Sequence, residues 1–555
     1  MNVIGVDVGT TSVRLAIISF RGEDSQGVLV LSSHEKAISH HQEGTRFEQS
    51  SQEIWNAVCH CSREALRKSN LPGSSIQGIA FSATCSLVID DSESNKLSYM
   101  NDVIMWMDHR AIEEAQSITE SGSKVLNQFG GVCSPEFSLS KLLWLQKHEP
   151  ARFEAAKGFF ELPDWLVYRS IGNNVPDQSP RSICSLTCKW GFDVDGNCHC
   201  DHVKHFESKK IGTKVYGPGK LAGSLSRSSA EELGLIDKTL TDLNNKENTE
   251  PKFQVAVGTS LIDAHSGLLA MLSLPLQDYG IKNRSIESTF CSLAGTSSCH
   301  MLLSKQSNFV KGVWGPYKNV VLDDYYLLEA GQSLTGKLIE ICITTHEEGK
   351  AKLLKGKRLY DVIQELNQGL IEGNFSTDLL LLPFFHGNRS PLANPRLMGG
   401  VYGLKSSGTR SLLEYYVATI EAICYETKSI VETLNSKLDT ILVSGGLMKN
   451  AYYMQTLANV LNCNVIKMSL EEIDFMVMGS ALVARQAVKN SLSNNDDNPP
   501  LTVASIENIH YEQLYALEKY EPQRKKLPYH EKKYLCYKEF VDFSLRIDKI
   551  TNQTC

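Results

Sequence analysis

Two short segments of this 555-residue chain carry the same glycine–hydroxyl pattern in the same surroundings. The first is Ile4-Gly5-Val6-Asp7-Val8-Gly9-Thr10-Thr11-Ser12, running into the apolar stretch Val13 to Ile18. The second is Phe290-Cys291-Ser292-Leu293-Ala294-Gly295-Thr296-Ser297-Ser298, running into Cys299-His300-Met301-Leu302-Leu303. Each reads as a strand, a tight Gly-Thr turn and a second strand. Glycine lets an anion come close to the main chain, and successive N–H groups around such a turn form a phosphate-sized concavity. Gly9, Thr10, Thr11 and Ser12 are therefore candidate phosphate contacts, as are Gly295, Thr296 and Ser297. One copy carries an acid two residues before its glycine, Asp7, where the other has Leu293. Two phosphate loops and one carboxylate imply a nucleotide held between two related lobes, with a metal on the Asp7 side only.

Two further segments fit that chemistry. Val257-Gly258-Thr259-Ser260-Leu261-Ile262-Asp263-Ala264-His265-Ser266-Gly267 sets an acid in a glycine-flanked stretch near the junction of the lobes. Alone, Asp263 reads as a helix N-cap. Beside two phosphate loops it becomes a candidate base, able to take a proton from a hydroxyl nucleophile within hydrogen-bond reach. Ile441-Leu442-Val443-Ser444-Gly445-Gly446 is a strand–turn–helix whose glycines allow a flat base or a ribose to lie against the backbone. Gly331-Gln332-Ser333-Leu334-Thr335-Gly336-Lys337-Leu338 comes close to a Walker A loop, but Leu338 stands where a Mg²⁺-binding hydroxyl belongs. A helix start with closely packed glycines accounts for it better.

The elements that must position these groups alternate between strand and helix. Strands are expected at Val3–Val8, Val13–Ser19 and Val28–Ser33, then an amphipathic helix from Gln52 to Arg67. The Ile76–Phe81 strand ends in the small polar run Ser82-Ala83-Thr84-Cys85-Ser86, and ligands bind where such strands end. Residues Gln116 to Arg169 read as mostly helical, and Ser170 to Leu240 as turns with a small hairpin region. A second α/β lobe begins near Phe290, with a strand at Thr440–Val443, a helix from Asn450 to Leu461 and a helix after Gly479. Asp242–Pro251 reads as an exposed loop and Ser491–Pro500 as a linker. The division expected is a first lobe over residues 1–270, a second over 271–490, and a linker and tail over 491–555 docked on the second lobe.

Composition is that of an ordinary globular protein, 42% hydrophobic and 21% charged. A formal net charge of −7 gives no electrostatic footprint for nucleic acid. Asp7 interrupts the N-terminal apolar run, which argues against a signal peptide, and no uncharged stretch is long enough to span a membrane. With 15 cysteines and no secretory signal, the thiols are expected to be reduced and the protein cytoplasmic. Cys184, Cys188, Cys198, Cys200, His202 and His205 lack paired zinc spacing, and Asp195-Gly196 looks like a hairpin turn, so a surface hairpin with free thiols is the preferred reading.

Taken together, these motifs resemble the FGGY carbohydrate kinases, within the actin-like, Hsp70-like and hexokinase-like ATPases, from about Val3 to Ala487. The resemblance implies an α/β fold of two actin-like (ribonuclease H-like) lobes with a nucleotide cleft between them. It implies that the two hairpins bind phosphates and that Ser444, Gly445, Gly446 and Gly479 bind adenosine. Asp7 would hold Mg²⁺ through water, and Asp263 would be the catalytic base. Trp106-Met107-Asp108-His109-Arg110 is similar to the family's W-x-D-x-R element, which puts Trp106 and Asp108 near the sugar; Lys141-Leu142-Leu143-Trp144 matches the core of a family signature. The sugar-facing run discriminates within the family. Glycerol kinases carry Arg-Glu there and xylulose kinases Gln-Met-His, whereas Thr84, Cys85 and Ser86 resemble the D-ribulokinase branch. So do the stretch from Leu293 to Met301 and Arg181-Ser182 leading to Cys188-Lys189-Trp190. Departures are Val132 after Phe129-Gly130-Gly131, Glu136, and Asn388 and Asn394 where many members have acids.

The activity implied is ATP- and Mg²⁺-dependent phosphorylation of the terminal hydroxyl of a ketopentose, C5 of D-ribulose first, by positioning and charge neutralisation. Sugar and ATP are the implied partners, and a homodimer stays open. Alternatives are a kinase for L-ribulose, xylulose or another polyol, and a non-enzymatic nucleotide switch of the actin or Hsp70 type, which would need neither the polar run at Ser82–Ser86 nor Asp263.

Overall fold

A computed structural model describes all residues except 23–24, 91–100, 174, 194–196, 198–209, 237–253, 277–284, 373–374, 407–409, 471, 494–497, 508, 513–514 and 553–555. Both Gly-Thr segments are antiparallel hairpins. Strand Asn2–Val8 pairs with Ser12–Arg21 so that Val8 meets Val13, and Thr289–Ala294 pairs with Ser298–Ser304 so that Ala294 meets Ser298. The glycine closes each turn, with the second turn one residue shorter: Gly9 N–H donates to the Ser12 carbonyl at 2.9 Å, and Gly295 N–H to the Ser297 carbonyl at 2.9 Å.

Each hairpin is the middle of its own sheet. In the first sheet Asn2–Val8 lies between its antiparallel partner and the parallel strand Ile76–Ala83, with Gly27–Ala37 beyond on one side and Ala256–Gly258 on the other. In the second, Thr289–Ala294 lies between Ser298–Ser304 and the parallel strand Thr440–Ser444, with Tyr326–Gln332 and Asn464–Leu470 outside them. The same local sequence logic has built the same arrangement twice, and the cleft lies between the two tips.

One late helix belongs by packing to the first sheet. Helix Phe475–Leu492 presses on strands Asn2–Val8 and Ile76–Ala83, where Gly5 removes the obstacle: a Cβ there would lie 2.3 Å from the Val477 carbonyl oxygen. It also packs against helix Asp263–Leu272. The division at residue 270 therefore cuts through one helix and separates another from the sheet that it covers.

The tail also differs from expectation. His510–Tyr511 adds a parallel strand to the edge of the first sheet, and Tyr515–Tyr520 adds an antiparallel one to the edge of the second. Helix Leu527–Asn552 then docks on the second lobe, where the hydroxyl of Tyr537 donates to Glu426 and Lys533 pairs with Glu421. The tail thus bridges both lobes, because each sheet left an edge to be covered. The 116–169 stretch is mostly helical as read, apart from strand Gly158–Glu161 and the turns and short 3₁₀ segment over 121–137. In the 170–240 stretch the sequence reading missed helix Ile183–Trp190, whose Cys184 and Cys188 are buried rather than on a surface hairpin. Cys198, Cys200, His202 and His205, the Asp195-Gly196 turn and the whole 242–251 loop lie outside the described residues. Among the described residues no helix is long and apolar enough to cross a membrane.

Candidate active site

A cavity of 540 Å³ lies between the two hairpin tips. Thr10 of the first tip and Gly295, Thr296 and Ser297 of the second line it, and so does Asp263. At one end are Ser444, Gly445 and Gly446 with apolar Met448, Leu470 and Ile473; at the other are Thr84, Cys85 and Trp106.

The second tip is held from behind by the Walker-like segment. Thr335 N–H donates to the Thr296 carbonyl at 2.9 Å and Gly336 N–H to the Gly295 carbonyl at 3.0 Å. A Cβ on Gly336 would stand 2.6 Å from that Gly295 oxygen, so the close-packed helix start read from the sequence is what the segment is. Gly445 also backs this strand: its φ is +96° and a Cβ would meet the Ala294 carbonyl oxygen at 2.5 Å, which leaves Gly446 open to the cavity.

The first tip is built around charge. Asp7 faces Arg14 across the hairpin. The Arg14 guanidinium contacts both Asp7 and Asp474, and Asp474 also caps helix Phe475–Leu492 by accepting from Val477 N–H at 2.9 Å. Asp7 is fully buried and accepts from the Ser82 hydroxyl at 2.8 Å. Burial and the neighbouring Asp474 and Asp263 push its carboxyl up to about 8 against the pull of Arg14. Three acidic side chains, Asp7, Asp474 and Asp263, thus share the field of one guanidinium. Among the described residues no three His, Cys, Asp or Glu converge as a metal cage.

Asp263 is the first residue of helix Asp263–Leu272, and its Oδ1 accepts from Ala264 N–H at 2.7 Å. Burial raises its pKa, against the opposing pull of that N–H and of Arg14. Trp106 ties the first tip to the Thr84–Ser86 run: its indole N–H donates to the Thr10 hydroxyl at 3.1 Å, and its backbone N–H to the Ser86 hydroxyl at 3.2 Å. Buried Lys141 donates to the carbonyls of Met105, Trp106 and Glu136, which fixes that loop.

Several expected site residues do not line the cavity. Asp7 and Gly9 lie behind Arg14, and the Ser12 hydroxyl donates to Glu35 at 2.6 Å, away from the cleft. Thr11 is exposed at the turn, and its carbonyl accepts from Ile38 N–H at 3.0 Å. Ser86 supports Trp106, and buried Asp108 accepts from Phe47 N–H at 2.6 Å and from Arg110. Gly479 is inside its helix, not before it, and a Cβ there would lie 2.0 Å from the Ser266 carbonyl oxygen. It is a helix-packing glycine, because a side chain would force two crossed helices apart.

The deep chamber contains charged residues that the sequence reading did not single out as a site: Glu136, Lys189, Glu329 and Arg389, with Trp314. Arg389 donates to Glu136 at 2.9 Å. Burial opposes ionisation of Glu136, but Arg389 and His109 hold it at about 2. The Lys189 ammonium lies over the rings of Trp314 at 4.8 Å and Phe137 at 5.1 Å and makes no hydrogen bond or ion pair among the described residues. Burial works against its charge, while neighbouring Cys85 and Glu329 raise its pKa. Two cations and two carboxylates balance, which suits a neutral polyol better than an anion. The departures at Asn388 and Asn394 concern support: Asn388 bonds Glu426, Asn394 bonds Asp548, and the residue between them that reaches the cavity is Arg389. One signal was available, since Glu329 interrupts the apolar strand Tyr326–Gln332 and a buried charge needs a partner.

Comparison with known proteins agrees with this geometry. Residues 2–187 match the N-terminal domain, and residues 291–487 the C-terminal domain, of the FGGY family of carbohydrate kinases. Over 511 residues the chain is 34% identical to the FGGY carbohydrate kinase domain-containing protein of Xenopus laevis, covering 86% of this chain and 87% of that one. It is 30% identical to a D-ribulokinase of Saccharomyces cerevisiae over 532 residues, 87% of this chain and 71% of the relative. The crystal structure of xylulose kinase from Rhodospirillum rubrum superposes with a TM-score of 0.75 at 18% identity over 99% of each chain. The architecture is that of a two-lobed actin-like ATPase.

Proposed function

The chain belongs to the FGGY family of carbohydrate kinases, and on that premise we propose that it transfers the terminal phosphoryl group of ATP to the C5 hydroxyl of a ketopentose, D-ribulose before others. The observation that carries this reading is that Asp263 and both Gly-Thr tips line one cavity, with a charge-balanced chamber beyond them. ATP lies with its base near Gly446, Met448 and Leu470 and its phosphates between Thr10 and Gly295–Ser297. Asp7 and Asp474 would hold, through water, a Mg²⁺ brought by the nucleotide, which would supply neutralisation of phosphate charge. The acidic side chains of Asp7 and Asp474 gathered on Arg14 support that assignment.

Asp263 takes the proton of the attacking hydroxyl. Its desolvation raises its basicity, and its second oxygen is not committed to Ala264. Thr84, Trp106, Lys189 and Glu329 bind and orient the remaining hydroxyls. Phosphoryl transfer needs in-line positioning and charge stabilisation more than covalent chemistry, and a chamber closed to water directs the phosphoryl group to the sugar. D-ribulose is preferred on the Thr84-Cys85-Ser86 run and on the name of the yeast relative.

The test is ADP release across pentuloses, pentitols and glycerol, with Asp263→Ala beside the wild type. We expect D-ribulose to give the highest kcat/KM and the variant to lose about 10²–10⁴-fold in kcat while still binding ATP. Near-normal sugar-dependent ADP formation in Asp263→Ala would reject the base assignment, and a preference for another pentulose would reject the substrate.

A further inference from the structure

Behind Glu329 in the cavity wall lies a buried Cys–His pair that the proposed reaction does not use. Cys184, in the first turn of helix Ile183–Trp190, has its Sγ 3.0 Å from His265 Nδ1. The other ring nitrogen of His265, Nε2, is 3.1 Å from Glu329 Oε2. Cys184 and His265 are fully buried, and Glu329 is only 5% exposed and lines the cavity. Its second oxygen, Oε1, has only a long contact with the Cys299 thiol at 3.9 Å. Three separate elements therefore converge: the helix that ends in Lys189, the helix that begins with Asp263, and strand Tyr326–Gln332 of the second sheet.

Resting on the kinase reading above, we propose that the Cys184–His265 pair is a positioning device that aims the Glu329 carboxylate at the hydroxyls of the ketose, in register with the base Asp263. The geometry leaves the ring one orientation. A carboxylate only accepts, so the proton on Nε2 must donate to Glu329. Nδ1 then meets Cys184, accepting from its thiol or, as imidazolium, donating to its thiolate; in both cases Nε2–H stays on Glu329. With Oε2 held, Oε1 is left to accept from the substrate. Because His265 lies two residues after Asp263, the contact also fixes the hydroxyl-accepting carboxylate of one lobe against the base of the other. Electrostatics agree: burial opposes every charge among the three, yet Cys184 and Glu329 hold His265 up to about 10, and His265 with Lys189 holds Glu329 at about 2.

Two amides at position 265 separate the contacts. Gln places its N–H near the position of Nε2, whereas Asn is shorter and reaches only toward Cys184. In His265→Asn the KM for the ketose should rise about tenfold, as for one loosened charge-assisted hydrogen bond, with the KM for ATP within about twofold. His265→Gln should restore the ketose KM to within about threefold of wild type. In a Glu329→Gln background His265→Asn should add less than about twofold, since the aimed group is already gone. An unchanged ketose KM in folded His265→Asn, equal rises in both KM values, or full additivity with Glu329→Gln would overturn the proposal.

A readout without turnover covers failure of a variant to fold. The His265 ring N–H resonance should lie far downfield in the wild-type protein and be lost in Glu329→Gln; its absence from the wild type would also overturn the proposal. A wild type that releases no ADP with any polyol would count against the kinase reading instead, and the resonance would still decide whether His265 holds Glu329.

Discussion

The two hairpin tips share a backbone and differ in what stands beside it. On the first, Asp7 faces Arg14, and Arg14 reaches on to Asp474. At the matching place on the second, Leu293 faces Cys299. Leu293 packs toward Gly267 of the Asp263 helix, where a Cβ would come within 3.0 Å of its Cδ1. The difference teaches that one Gly-Thr turn can be built twice on unlike neighbours. The residue two positions before the glycine then decides the rest: charge management at one tip, and packing against the base-bearing helix at the other.

Removing the charge is the strongest way to test that contrast. Asp7→Ala should lower kcat/KM by about 10²–10³-fold, the usual loss when one preorganised electrostatic group is removed, whereas Leu293→Ala should cost less than about tenfold. Steady-state kinetics at several Mg²⁺ concentrations measures both, and equal losses would erase the distinction. Stability should differ too. Arg14→Ala leaves Asp7 buried beside Asp474 without its cation and should destabilise the fold by about 3 kcal/mol in urea unfolding. No comparable loss is expected on truncating Cys299.

A smaller effect bears on Gly479, which the family resemblance assigns to adenosine and the structure places between helices. Gly479→Ala must displace the Ser266 carbonyl and should cost about 2 kcal/mol of stability, with the KM for ATP unchanged in the folded fraction. A large change in ATP affinity without loss of stability would return the glycine to the nucleotide site.

The smallest effect is in pH. His265 is raised from 6.5 to about 10, so its share of the ion pair is fully present below pH 6.5 and lost as pH rises through 10. Glu329 is lowered from 4.5 to about 2, so its share is present above pH 4.5 and lost as pH falls through 2. The wild type should therefore exceed Glu329→Gln in stability by about 1 kcal/mol between pH 4.5 and 6.5, and the margin should shrink toward pH 10. Paired melting curves across that range measure it; a margin that grows with pH would contradict the pair.

Much of the fold was legible because its signals are local. The Gly-Thr turns, the strands that flank them and the Ile76–Ala83 strand depend on residues a few positions apart, and they formed where periodicity put them. Helix Ile183–Trp190 was missed because its Ser, Thr and Cys content reads as a loop until Cys184, Leu186, Cys188 and Trp190 are seen to be buried. The tail was misplaced because a strand of two residues, His510–Tyr511, has no period to read. Within the site, Asp263 was legible beside its glycines, while Arg14 was hidden as an ordinary charge on a hairpin strand.

From its sequence alone the chain determined two Gly-Thr turns, one carboxylate at a strand–helix junction and the family to which they belong. Those features are set by short-range backbone sterics and by residue types that few other turns tolerate. The tertiary structure alone decided that Lys189, Glu136, Arg389 and Glu329 share a chamber, that Arg14 joins Asp7 to Asp474, and that Cys184 and His265 stand behind Glu329. A buried charge is placed by a partner distant in sequence, and only folding brings the two within reach of each other.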